Sequence, residues 1–196
     1  MSQRLGDFPA DAPELQPGAL LTAGQLLQLP DTDRRYELIE GKLHMMSPGG
    51  NLHGRVAMRV GSLLEQHVRN EALGVVYAAE TGFLIARDPD TVLAPDVAFV
   101  SQARLAAQED TTGYLPLAPD LVVEVVSPQD RFSQVEQKAR RWLQAGSRLV
   151  LLVDAEQKRV HVLRNPRQVT VLGPEEELDA SDVVSGWRVG VREFFV

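Results

Sequence analysis

The 196 residues, 44% hydrophobic and 24% charged, suffice for one globular domain with a full core. The absence of cysteine excludes disulfides and thiolate metal sites, leaving any metal to oxygen or imidazole ligands and favouring magnesium or manganese over structural zinc. A formal net charge of −7 argues against non-specific wrapping of nucleic acid, though it leaves room for a local basic rim.

No apolar run approaches the roughly 20 residues that span a bilayer. Asp7, Asp11 and the early prolines lack the basic-then-apolar order of a signal peptide, so the expectation is a cytoplasmic protein without membrane contact. Residues 1–18, with Gly6, Pro9, Pro13, Pro17 and Gly18, read as an extended arm, and residues 19–196 as a single domain. Thr22 and Gln25 have the capping-box spacing for a brief helix that ends at Pro30. After a polar turn from Asp31 to Arg35, Tyr36–Glu40 and Lys42–Met46 alternate as a hairpin through Glu40-Gly41.

Ser47-Pro48-Gly49-Gly50 is a loop, and Asn51 is the expected N-cap of an amphipathic helix bearing Val56, Val60, Leu63, Leu64 and His67 until Gly74 ends the segment. Val75–Arg87 predicts one long strand, Asp88-Pro89-Asp90 a turn, and Thr91–Val100 an antiparallel neighbour carrying Pro95-Asp96. Ser101–Glu109 predicts a short helix and 110–120 a loop.

Leu121–Ser127 follows, a β-branched run apolar in both parities with Glu124 at its centre, which predicts a central strand covered on both faces. A carboxylate there loses hydration worth several kcal/mol unless a cation, metal or strong donors replace the water. Residues 130–145 predict a helix whose apolar stripe holds Phe132, Val135, Ala139, Trp142 and Leu143, with Lys138 on its flank and able to reach inward. Leu149–Asp154 is a second apolar strand, and strand, crossover helix, strand implies a parallel pair. Arg159–Arg164 and Gln168–Leu172 predict a hairpin at the sheet edge, Pro174–Asp182 an acidic loop, and Trp187–Val196 a closing segment docked through Phe194 and Phe195.

Each candidate residue has a plainer reading. Asp96 suits a turn, Glu124 a buried ion pair with Arg55 or Lys138, and Lys138 a solvated lysine whose stem covers Trp142. Glu37, on the parity opposite Tyr36 and Leu38, suits a cross-strand ion pair, and His53 a structural role in the first turn of its helix.

In order, Tyr36-Glu37-Leu38-Ile39-Glu40-Gly41, Ser47-Pro48, His53, Pro95-Asp96-Val97, Pro119 to Pro128, Lys138, Ala145-Gly146 and Leu152-Val153-Asp154 resemble the PD-(D/E)XK nucleases, and within them the bacterial Uma-type restriction-endonuclease group. The resemblance implies a restriction-endonuclease-like α/β core, a mixed sheet flanked by helices with an N-terminal hairpin and a C-terminal β extension. It implies cleavage of DNA with Mg²⁺, or alternatively Mn²⁺. Asp96 and Glu124 correspond to metal-binding carboxylates, aided by the Val125 backbone carbonyl, with Lys138 as third catalytic residue and Glu37 and His53 in support. The superfamily's usual lysine position is Val126 here, so the lysine is displaced onto the next helix as Lys138. Gln134 stands where the group commonly has aspartate, and Leu149 and Leu151 replace a usual Glu and Trp. Those departures keep open a catalytically inactive module that binds nucleic acid or protein, and two carboxylates alone also suit metal-independent acid–base hydrolysis. The arm and the late edge strands suggest a homodimer.

Overall fold

The computed structural model describes residues 19–29, 35–108, 112–127 and 131–196. The expected arm at 1–18 and the turn residues 31–34 lie outside the described residues, as do 128–130 at the expected helix start.

Helix α1 (Ala23–Leu27) begins with both reciprocal bonds of the Thr22–Gln25 capping box. Strands β1 (Arg35–Ile39) and β2 (Lys42–Met46) pair antiparallel, and both turn residues between them, Glu40 and Gly41, have positive φ, as a two-residue hairpin turn requires. Helix α2 (Asn51–Asn70) is capped by Gly50, which places Asn51 inside the helix instead of at its cap. It ends at Asn70, four residues before Gly74, because Ala72 takes the left-handed conformation and Leu73 N–H closes back on the Val68 carbonyl at 3.0 Å.

The two long strands expected at 75–87 and 91–100 are each broken in two. Strands β3 (Gly74–Ala78) and β4 (Phe83–Ala86) flank a turn with Glu80 at φ 76°, while β5 (Thr91–Leu93) and β6 (Val97–Ser101) flank Ala94-Pro95-Asp96. The antiparallel partnership survives, β3 with β6 and β4 with β5, but the two halves lie in different sheets. Both arms of this hairpin therefore cross between sheets, and Asp96 sits at the crossing.

Helix α3 (Gln102–Leu105) leads towards β7 (Leu121–Val126), then α4 (Phe132–Gln144), β8 (Leu149–Asp154), β9 (Arg159–Asn165) and β10 (Gln168–Leu172). The larger sheet has the order β10-β9-β8-β7-β6-β3, with β7 parallel to β8 and every other pair antiparallel. The smaller has the order β2-β1-β5-β4. The acidic stretch expected as loop contains β11 (Glu177–Asp179), which pairs with β12 (Arg188–Gly190) because Leu178 alternates between two acids and buries its side chain.

The burial pattern explains why β7 is apolar in both parities. Leu121, Val123 and Val125 pack with Val56, Val60 and Leu64 of α2 and with Trp187 and Phe194 from the closing segment. Val122 packs on the opposite face with Ala139 and Trp142 of α4 and with Phe83 and Leu93 of the smaller sheet. Fully burying side chains of this size is worth roughly 1.5–3 kcal/mol each. Glu124 shares the parity of Val122, which turns it towards α4. No described helix is long and apolar enough to cross a membrane.

Candidate active site

Glu124 is 7% exposed, and its carboxylate is held by two elements of one crossover. Lys138 Nζ lies 2.9 Å from Oε1 and 3.0 Å from Oε2, and Trp142 Nε1 donates to Oε1 at 2.8 Å. Lys138 and Trp142 are one helical turn apart on α4, so both heads reach the same point on β7. The Lys138 ammonium replaces the hydration lost by the buried acid.

A second carboxylate reaches that ammonium from the smaller sheet. Glu37 Oε1 lies 2.8 Å from Lys138 Nζ and also accepts from the Ala94 N–H at 2.9 Å. Lys138 donates in turn to the Ala94 carbonyl at 3.1 Å. Ala94 is the first residue of the crossing segment, so Glu37 and Lys138 clamp the backbone that delivers Asp96.

Asp96 continues β6 beyond its last pair with β7, and its backbone N–H donates to the Val123 carbonyl at 3.1 Å. Its Oδ2 accepts from the Val125 N–H at 2.7 Å and stands 3.1 Å from His53 Nε2. His53 arrives from the first turn of α2. Its ring occupies space against Gly49, where an added Cβ would come within 2.6 Å of Nδ1, so the loop before the helix needs glycine there.

Glu37, His53, Asp96, Glu124, Lys138 and the Val125 backbone thus converge at the end of the central strand. Burial pushes the Glu124 carboxyl up to about 7; Lys138 opposes this, while Asp96 and Glu37 add to it. For Lys138 burial works to lower the ammonium, but Glu124 and Glu37 outweigh it and the net direction is upward. One lysine gains from two acids, whereas Glu124 shares that cation and feels two like charges. Lys138 is therefore a fixed positive charge and hydrogen-bond donor at neutral pH, not a free-amine base.

Two contributors went unassigned in the sequence. Trp142 lies on the apolar stripe of its helix, and its spacing from Lys138 is the signal in the sequence that its N–H can serve the same acid. Ala94 acts through its backbone and carries no side-chain signal at all. Asp120, adjacent to β7 at the other end, is buried but remote in role: it accepts from the Ser101 N–H at 2.8 Å and pairs with Arg104 at 3.2 Å.

The donor set suits a hard divalent cation. Two carboxylates beside a strand backbone offer oxygen ligands, and magnesium characteristically takes one or two carboxylates and fills its remaining positions with water and substrate phosphate. Among the described residues no group of three His, Cys, Asp or Glu forms a complete protein cage, so a metal here would rely on that external completion.

A mixed sheet covered by helices, with acids gathered at the end of its central strand, defines a restriction-endonuclease-like core. Residues 23–192 match the family Uma2, described as putative restriction endonuclease, and the chain belongs to that family. The chain is similar in fold to the crystal structure of a putative nuclease belonging to DUF820 from Anabaena variabilis ATCC 29413, with a TM-score of 0.76, 20% identity, and coverage of 89% of this chain and 97% of that one. No curated protein matches it.

Proposed function

We propose that the protein is a metal-dependent endonuclease that hydrolyses DNA phosphodiester bonds, using Mg²⁺ with Mn²⁺ as an alternative. The observation that carries this reading is the imbalance at the site: Glu37, Asp96 and Glu124 gather around one ammonium and one histidine. A purely structural ion pair has no use for the additional acids, whereas a divalent cation would offset them.

Asp96 and Glu124 are the assigned metal carboxylates. The Val125 carbonyl is the third assigned ligand, because it leaves the strand on the side where its own N–H meets Asp96. The ion would supply Lewis-acid stabilisation of charge on the phosphate and a more acidic water. Lys138, its three N–H groups committed to Glu37, Glu124 and the Ala94 carbonyl, would act as a fixed positive charge beside the phosphate and the attacking water. His53 would hold Asp96 in register.

Plasmid nicking with magnesium or manganese tests the assignment. Cleavage that a chelator abolishes and that Glu124→Ala lacks is the expected result; equal cleavage by the variant or in chelator would sink it, the latter in favour of metal-independent acid–base hydrolysis.

One observation favours a second reading, a catalytically inactive module that binds nucleic acid or protein: Lys138 and Trp142 already engage both Glu124 oxygens. DNA affinity that survives Glu124→Gln, without turnover in either protein, would select it. The proposal also takes residues 19–196 as one working domain and includes a homodimer built on the exposed β10 edge, where Val169 and Val171 are uncovered. Molar mass by light scattering tests that pairing.

A further inference from the structure

Charge is distributed unevenly along this acidic chain. From Gly41 to Leu64 there is no aspartate or glutamate, while Lys42, Arg55 and Arg59 fall within the stretch. Its helical part forms one wall of a groove of about 620 Å³, closed on the other side by Phe194 and Phe195. Arg55, Arg59 and Ser62 line the groove, and no described acidic residue does.

Both arginines are exposed and neither has an acid partner among the described residues. Arg59 is steadied by donating from Nε to the Glu193 carbonyl at 3.1 Å, which leaves the rest of its guanidinium outward. Arg55 and Arg59 differ in this from exposed arginines such as Arg164, matched to Asp182, and Arg188, matched to Asp179. An unmatched cationic groove on a protein of net charge −7 calls for an anionic occupant.

The groove also abuts the candidate active site. Gly49 forms part of its lining and lies directly against the His53 ring, whose other side meets Asp96. Leu52 and Met58 expose apolar surface beside the arginines, suited to sugar faces between phosphates. Resting on the nuclease reading above, we propose that this groove is the track for the DNA backbone on one side of the scissile phosphate, with Arg55 and Arg59 each contacting a phosphate. Such contacts position the duplex and carry no sequence information.

The test is fluorescence anisotropy of a labelled DNA duplex with the full chain across a potassium chloride series, with calcium replacing magnesium. Each lost phosphate contact lowers the slope of log K against log salt by about 0.9, so Arg55→Ala should reduce it by about 1 and the Arg55→Ala/Arg59→Ala double variant by about 2. Arg167→Ala, in the turn of the β9–β10 hairpin, should leave the slope unchanged, and circular dichroism should show all variants folded. An unchanged slope in the double variant overturns the groove assignment while plasmid nicking by the wild type leaves the nuclease reading standing. A wild type that neither binds nor nicks DNA removes both. Steeper salt dependence with duplex RNA than with DNA, or a variant that changes only the oligomeric mass, would likewise overturn DNA as the occupant.

Discussion

Two buried acids four residues apart, Asp120 just before the central strand and Glu124 inside it, are treated in opposite ways. Asp120 divides its oxygens between the Ser101 N–H and Arg104, and its backbone carbonyl accepts from Arg148 and Leu149; acid and cation balance, and the result ties the start of β7 to β6 and β8. Glu124 shares one lysine with Glu37, has Asp96 close enough to raise its pKa, and is pushed up to about 7. Matched burial makes a joint. Acids held in place beyond the cations that face them make a candidate site.

The sharpest break of this comparison is to remove the shared ammonium. Lys138→Met leaves Glu37 and Glu124 buried without their cation and should cost about 3–5 kcal/mol of stability, read as a lowered midpoint in urea unfolding. A loss below about 1 kcal/mol would show that the acids do not depend on it. Next, the two acids should separate function from stability. Glu124→Gln should reduce metal-dependent nicking by on the order of 10²-fold or more, comparable to losing a preorganised electrostatic contact in other active sites, while keeping the Trp142 hydrogen bond and the fold. Asp120→Ala should cost about 1–3 kcal/mol by orphaning the Ser101 N–H, yet leave nicking per folded molecule nearly intact. Equal effects of both substitutions on nicking would erase the distinction between joint and site.

What could be read in advance follows the range over which each feature is encoded. The β7 run declared its central place because seven consecutive residues state both parities, and Glu124 stood out as the one charge among them. Glu40-Gly41 fixed the first hairpin through local backbone preference. The splitting of 75–87 and 91–100 was invisible because it depends on which sheet each half joins, which Glu80, Gly82 and Pro95 hint at but do not decide. Strand β11 was missed since Leu178 is a single apolar residue among acids, too short for a periodicity. Candidate acids were readable one by one; that Glu37 clamps the Ala94 backbone through its amide depends on a contact between strands of different elements, and no local pattern announces it.

The raised Glu124 pKa has two consequences of opposite use. Between about 4.5 and 7 the unfolded chain has released this proton while the folded chain still holds it, so stability should fall as pH rises through that window, on the order of 1 kcal/mol per pH unit from this group. Nicking should move the other way, rising through about pH 7 as the carboxylate becomes available to a metal, with the midpoint falling as magnesium is increased. A midpoint insensitive to magnesium concentration would assign the profile to some other group.

The finest adjustment is Trp142→Phe, which keeps most of the ring's packing against Phe83 but deletes the 2.8 Å donor to Glu124 Oε1. That donor stabilises the charged carboxylate, so its loss should carry the nicking midpoint to higher pH by a fraction of a unit and lower stability by about 1 kcal/mol. A combined Glu124→Ala/Trp142→Phe protein should be less destabilised than the two single changes summed, because each removes one partner of the same hydrogen bond. Strict additivity would mean that Trp142 supports α4 by packing alone and that Lys138 is sufficient to hold Glu124 at the site.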